Sequence, residues 1–273
     1  CIRDRFGTGG SAVATDPTTA NLLFYTDGTR VYDAFHTLMP NGSGFTANSS
    51  ANQPVVICPV PGQPNKYFIF TNTANFTTGG TISRSVVDMT LFGNAIFPSP
   101  SQGNVEALNK NSAVPGLINR SEGMIVLPHS NGTDYWLITH QNGSADFSAT
   151  LINAGTYSAG TFNTTISIGL GSISPIPISV GNFSYNHKLR KLAVSVQSVR
   201  DDSQIVNFDP TTGVMTFDRY LFNTGVITSI SQSMYDIQWD IKGGQYLYIS
   251  RIGEPGIPAD VLQYDYTNST SST

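Results

Sequence analysis

The run Tyr67-Phe68-Ile69-Phe70 decides how this chain folds. It follows the apolar stretch Val55-Val56-Ile57 and the turn Pro61-Gly62-Gln63-Pro64, and no polar residue interrupts it. A strand on a sheet with one wet face alternates apolar and polar side chains, so an unbroken apolar run must be covered on both faces. Sheets stacked radially around an axis give that cover, because each is packed between two neighbours. The run therefore predicts an all-β fold, a β-propeller of four-stranded antiparallel blades, with a jelly roll or double sandwich as the alternative.

Working outward, the same order of apolar strand, turn, aromatic strand and further strand recurs along the chain. Ser11-Ala12-Val13-Ala14 leads through Asp16-Pro17 to Leu22-Leu23-Phe24-Tyr25 and then to Val31-Tyr32, and the second unit continues into Ser85-Val86-Val87. The third joins Met124-Ile125-Val126-Leu127 to Tyr135-Trp136-Leu137-Ile138 across Asn131-Gly132, a hairpin signal in which both turn positions can take positive φ. The fourth sets Lys191-Leu192-Ala193-Val194 before Gln204-Ile205-Val206, and the fifth links Tyr235-Asp236-Ile237-Gln238-Trp239 to Tyr246-Leu247-Tyr248-Ile249 through Gly243-Gly244. Counted from Phe24, Tyr67, Trp136, Leu192 and Leu247, the units lie 43, 69, 56 and 55 residues apart, which suits four-stranded units with variable loops rather than a sandwich with a turn about every 10 residues. Five units are visible, and five to seven blades fit the pattern. Residues 1–10 read as a lead-in, 11–267 as the propeller and 268–273 as a polar tail.

Composition narrows the function. Charged residues are 12% of the chain against about 25% in an ordinary globular protein, so neutral Ser, Thr and Asn carry solubility, a surface suited to the cell exterior. A net charge of -4 without a basic run gives no footprint for nucleic acid. No stretch reaches the roughly 18 consecutive apolar residues that span a bilayer, so a membrane partner is expected only through a lipid on Cys1. Three readings stand for Cys1: the lipidated first residue of a mature lipoprotein, a disulfide partner of Cys58, or simply the residue at which the sequence begins.

The run Asn21-Leu22-Leu23-Phe24-Tyr25-Thr26-Asp27-Gly28, followed by Leu38-Met39-Pro40-Asn41-Gly42-Ser43-Gly44, resembles the propeller region of large Bacteroidota cell-surface proteins linked to gliding motility and type IX secretion. Tyr67-Phe68-Ile69-Phe70-Thr71, Asn131-Gly132-Thr133-Asp134-Tyr135-Trp136-Leu137-Ile138 and Leu262-Gln263-Tyr264-Asp265-Tyr266 match further elements in the same order. The resemblance implies a place on the outer cell surface, adhesion or assembly, and no catalytic residues. It also implies about seven blades, where five units are seen here.

Residue by residue, little points to catalysis. The histidines His36, His129, His140 and His187 lack ligand spacing, and no cofactor is expected. Glu occurs only at Glu106, Glu122 and Glu254, a thin supply for the carboxylate pair of a glycosidase. Asp201, Asp202 and Asp209 are weak calcium candidates, since oxygen ligands suit that ion, yet no Asp-x-Asp-x-Asp loop holds them. Tyr32, Tyr157, Tyr185 and Tyr235 are candidates for stacking on sugars. Thr164, Ile166 and Ile168 mark an edge strand through which a second copy could pair. The expectation is a non-catalytic extracellular or cell-surface module that binds a protein or glycan, with self-assembly into a surface structure or filament as a further version. The alternative is a propeller enzyme acting on extracellular polysaccharide, which acids converging in one place would favour.

Overall fold

A computed structural model describes residues 9–75, 78–96, 99–170, 180–196, 203–221, 234–241, 243–251 and 258–268. Their strands form five sheets that follow chain order. The first holds β1 (Ala12–Thr15), β2 (Leu22–Thr26), β3 (Arg30–Asp33) and β4 (Leu38–Ser43). The second holds β5 (Val55–Pro59), β6 (Lys66–Asn72), β7 (Ile82–Asp88) and β8 (Asn104–Val105), with β9 (Ser112–Ala113) also paired to β7. The third holds β10 (Arg120–Pro128), β11 (Tyr135–Gln141), β12 (Phe147–Ile152) and β13 (Asn163–Ser167), with the one-turn helix α1 (Ala154–Ser158) before its last strand. The fourth holds β14 (Val180–Asn186), β15 (Lys191–Val196), β16 (Gln204–Phe208) and β17 (Met215–Tyr220), and the fifth β18 (Met234–Trp239), β19 (Tyr246–Arg251) and β20 (Asp260–Asp265). Each is the up-and-down sheet of a propeller blade, so the fold class is the all-β, β-propeller one that the sequence predicts.

The chain forms two compact units. The first comprises Cys1–Glu122, Asn131–Tyr135 and Leu151–Asn163, and the second Gly123–Ser130, Trp136–Thr150 and Thr164–Thr273. In the first unit the decisive run behaves as its composition demands: Phe68, Ile69 and Phe70 all have 0% exposure. Ile69 joins Phe24, Val31, Met39 and Val55 in one core cluster, which packs the first sheet on the second. Phe68 points the other way, as alternation along a strand requires, and meets the ring of Tyr157 in α1 at 6.4 Å. A second cluster, in the other unit, gathers Ala193 and Ile205 of the fourth sheet with Ile237, Trp239, Leu247 and Ile249 of the fifth. A buried Leu, Ile or Phe contributes about 1.5–3 kcal/mol by leaving water, so each residue of these clusters stabilises its unit on that scale.

One detail differs from the sequence reading. Asn131 does not take positive φ; only Gly132 does, at 75°. The turn is closed instead by the Asn131 side chain, whose Oδ1 accepts from the backbone N–H of Thr133 and Asp134 at 3.0 Å each, the local bonding that suits Asn to turns. Leu38-Met39-Pro40-Asn41-Gly42-Ser43 forms the edge strand β4, where a proline is tolerated because no ladder N–H is needed on the outer side.

Candidate functional site

In the second unit, the turns that follow β14 and β18 border a cavity of about 350 Å³. Asn186 closes the first turn by accepting a hydrogen bond from the Leu189 N–H at 3.0 Å. The second turn must pass close to it. Gly244 has φ +73°, and a Cβ there would lie 1.8 Å from Asn186 Nδ2, so any other residue is strained and must displace the Asn186 amide. Tyr185 lines the cavity with its ring edge-on to His187 at 4.8 Å, and burial pushes its phenol pKa up. Trp239 is 3% exposed, fixed by a hydrogen bond from its backbone N–H to Ser184 Oγ at 3.0 Å. Two buried polar atoms of this wall, Trp239 Nε1 and Asp240 Oδ1, have no hydrogen-bond partner, a condition that costs roughly 1–3 kcal/mol per group. Ring faces, a carboxylate, an imidazole and the amides of Asn186 and Gln238 thus share one cavity.

The same two first strands carry matching bulges nearer their starts, at Val180/Asn182 and Met234/Asp236. The N–H of Asn182 donates to Ser195 Oγ at 2.9 Å and that of Asp236 to Ser250 Oγ at 3.1 Å, so each bulge is satisfied by a serine from the second strand. Asn182 Nδ2 donates to Asp236 Oδ1. Asp236 and Asp240 are four strand positions apart, roughly 13 Å at about 3.3 Å per residue, too far to work as one glycosidase pair.

In the first unit two acids do converge, on a lysine. Lys66 Nζ lies 2.6 Å from Asp88 Oδ2 and also bonds Glu106 Oε1. Tyr157 Oη donates to Glu106 Oε1 at 3.1 Å. Burial pushes both carboxyls up, but the Lys66 ammonium and neighbouring donors outweigh it and hold both below the usual carboxylate range. The bonded oxygens are no more than roughly 6 Å apart, two hydrogen-bond lengths, yet a cation sits between them and neither keeps a proton to donate. This is an ionic tie. Glu122 is the opposite case: 4% exposed, it accepts from the Asn52 N–H at 3.1 Å, and burial raises its pKa against that hydrogen bond.

The structure distributes the residues singled out from the sequence. Tyr185 reaches the cavity. Tyr235 sits on β18 with 40% exposure, and Tyr32 is buried at 8%, stacked on Tyr25 at 5.4 Å. Tyr157 is engaged by Glu106, with Lys66 over its ring at 5.2 Å. Asp209 caps its own turn by accepting from the Thr211 N–H at 2.9 Å and from Thr212 Oγ1 at 2.7 Å. Cys1, Asp201 and Asp202 lie outside the described residues. Among the described residues no group of three or more His, Cys, Asp or Glu side chains is placed to hold a metal. Thr164 bonds Thr150 at 3.0 Å, while Ile166 and Ile168 are 58% and 77% exposed along the end of the third sheet. Sequence reasoning missed Asn186, Trp239 and Asp240 as cavity residues; an aromatic followed at once by a polar residue, Tyr185-Asn186 and Trp239-Asp240, is the local signal at both turns.

No family model matches this chain. No curated protein matches it either. Among solved structures, an endo-arabinase from Bacteroides thetaiotaomicron is 14% identical over 98% of this chain and 97% of its own, with a TM-score of 0.43. A glucose dehydrogenase is 9% identical over 94% and 97%, with a TM-score of 0.36. The soluble aldose sugar dehydrogenase of Escherichia coli is 13% identical over 94% and 96%, with a TM-score of 0.32. These matched proteins are enzymes, which stands against the expectation of a non-catalytic binding or scaffolding module. At such identities and TM-scores they assign no activity to this chain.

Proposed function

We propose that this chain is a propeller enzyme acting on extracellular polysaccharide, with the cavity bounded by Tyr185, His187, Trp239 and Asp240 as its sugar site. The observation that supports this reading is the make-up of that cavity. A sugar ring presents C–H faces, which an aromatic ring such as Tyr185 covers, and hydroxyls that both donate and accept, which the amides of Asn186 and Gln238, the His187 imidazole and the Asp240 carboxylate complement. The volume of about 350 Å³ falls in the range of small-ligand sites, roughly 300–1,000 Å³. Asp240 and His187 are the side-chain types used for proton transfer to and from a reacting oxygen, worth about 10²–10⁴-fold in rate. A sequence in which only 12% of residues are charged supports an extracellular setting.

The test is the release of new reducing ends from arabinan, xylan and β-glucan by the purified chain. Cleavage of one polymer that falls at least about 100-fold in Asp240→Asn and His187→Gln supports the proposal. A folded wild-type protein that cleaves none of them, or an Asp240→Asn variant with full activity, contradicts it.

A further inference from the structure

We infer that the cavities on either side of the β14–β15 turn are two consecutive subsites for one linear polysaccharide chain, with Arg190 positioning the chain between them; the inference rests on the sugar site proposed above. A second cavity, of about 470 Å³, lies on the far side of that turn. The two are built alike. The first has an aromatic wall in Tyr185, a carboxylate in Asp240 and an ammonium in Lys188; the second has Phe208, Asp209 and Arg190. Tyr185 and Phe208 meet edge-on at 5.7 Å; Phe208 is 2% exposed, so this contact braces the turn between the cavities and leaves ring stacking to Tyr185. Among the described residues each cavity pairs one cation with one carboxylate, Lys188 with Asp240 and Arg190 with Asp209.

The ridge between the cavities is held in a particular conformation. Arg190 has φ +54°, a left-handed backbone that a non-glycine residue adopts only under constraint and that concentrates at functional sites. The constraint is visible: its carbonyl accepts from the Phe208 N–H at 3.0 Å, and Asn186 fixes the other end of the turn at Leu189. A monosaccharide needs one cavity only. A chain spanning both gains contacts with each added unit and must pass Arg190.

Calorimetric titration with xylo-, arabino- and gluco-oligosaccharides, from monosaccharide to hexasaccharide, tests this. Arg190→Gly is the suitable variant, because glycine keeps the left-handed turn while removing the side chain. In one series, affinity is expected to rise at least about tenfold with length, and Arg190→Gly is expected to lower hexasaccharide affinity by a similar factor while monosaccharide binding is retained. Equal affinity for short and long members, or an unchanged hexasaccharide affinity in Arg190→Gly, overturns the two-subsite inference and leaves the single sugar site standing. Absence of binding throughout every series overturns the sugar site itself, and this inference with it.

Discussion

Lys66 and Lys191 hold the same place in their respective sheets. Each is the first residue of a second strand, opposite its register partner on the third, Asp88 for Lys66 and Asn207 for Lys191. Each bonds that partner and a further acid, Glu106 or Asp218. A tyrosine completes both: Tyr157 donates to Glu106 at 3.1 Å and Tyr266 to Asp218 at 3.2 Å, with the lysines 5.2 and 6.0 Å from the ring centroids. A lysine opening the second strand and a tyrosine arriving from a later segment thus form a clamp that recurs in both units.

Lys66→Met removes the cation from between two carboxylates that are only 10% and 14% exposed. Urea unfolding at neutral pH is expected to show a loss of about 1–3 kcal/mol, below the roughly 3–5 kcal/mol of a fully buried pair. In the wild type, Asp88 and Glu106 have lowered pKa values in the fold. Their contribution is therefore present above the ordinary carboxylate pKa of about 4 and is lost as pH falls through the folded values. The destabilising effect of Lys66→Met should shrink accordingly in acid; an effect that does not change with pH counts against the clamp.

Glu122 predicts the reverse dependence. Its folded pKa is raised by burial, so its contribution is fully present below the unfolded value of about 4.3 and is lost as pH rises through the folded one. Glu122→Gln keeps the acceptor for the Asn52 N–H and removes the ionisation. The variant is expected to match wild type near pH 4 and to become the more stable of the two as pH rises past neutrality, read by thermal unfolding across pH.

Gly244 and Gly132 form an internal control. Both have positive φ, +73° and +75°, but a Cβ on Gly132 meets nothing within 4 Å whereas one on Gly244 meets Asn186 Nδ2 at 1.8 Å. Gly132→Ala is expected to cost about 1–2 kcal/mol from backbone conformation alone. Gly244→Ala adds a collision that displaces Asn186, and is expected to cost more and to weaken sugar binding, whereas Gly132→Ala leaves binding intact.

The fold was legible where burial alone dictates residue type. Tyr67-Phe68-Ile69-Phe70 and Tyr135-Trp136-Leu137-Ile138 announce strands covered on both faces, and the structure covers Phe68, Ile69 and Phe70 completely. β14 escaped, because its bulge at Asn182 and the polar run Asn182-Phe183-Ser184-Tyr185-Asn186 dilute the apolar signal. α1 escaped because five residues carry no helical period; a capping box between Asn153 and Thr156 sets it. Of the proposed sugar site, Tyr185 was visible as an aromatic suited to stacking on sugars. Its companions were not, since His187 and Asp240 belong to turns of different sheets about 50 residues apart, and only the tertiary pairing that buries Ile237 and Trp239 brings those turns together.

Hydrogen exchange of the chain, alone and saturated with a xylo-, arabino- or gluco-oligosaccharide, tests most directly whether this cavity is where sugar is held. The account predicts that added protection concentrates in the two turns, at residues 186–190 and 240–245, and disappears in Asp240→Asn. Protection confined to other segments with a sugar bound, or unchanged by Asp240→Asn, would contradict it.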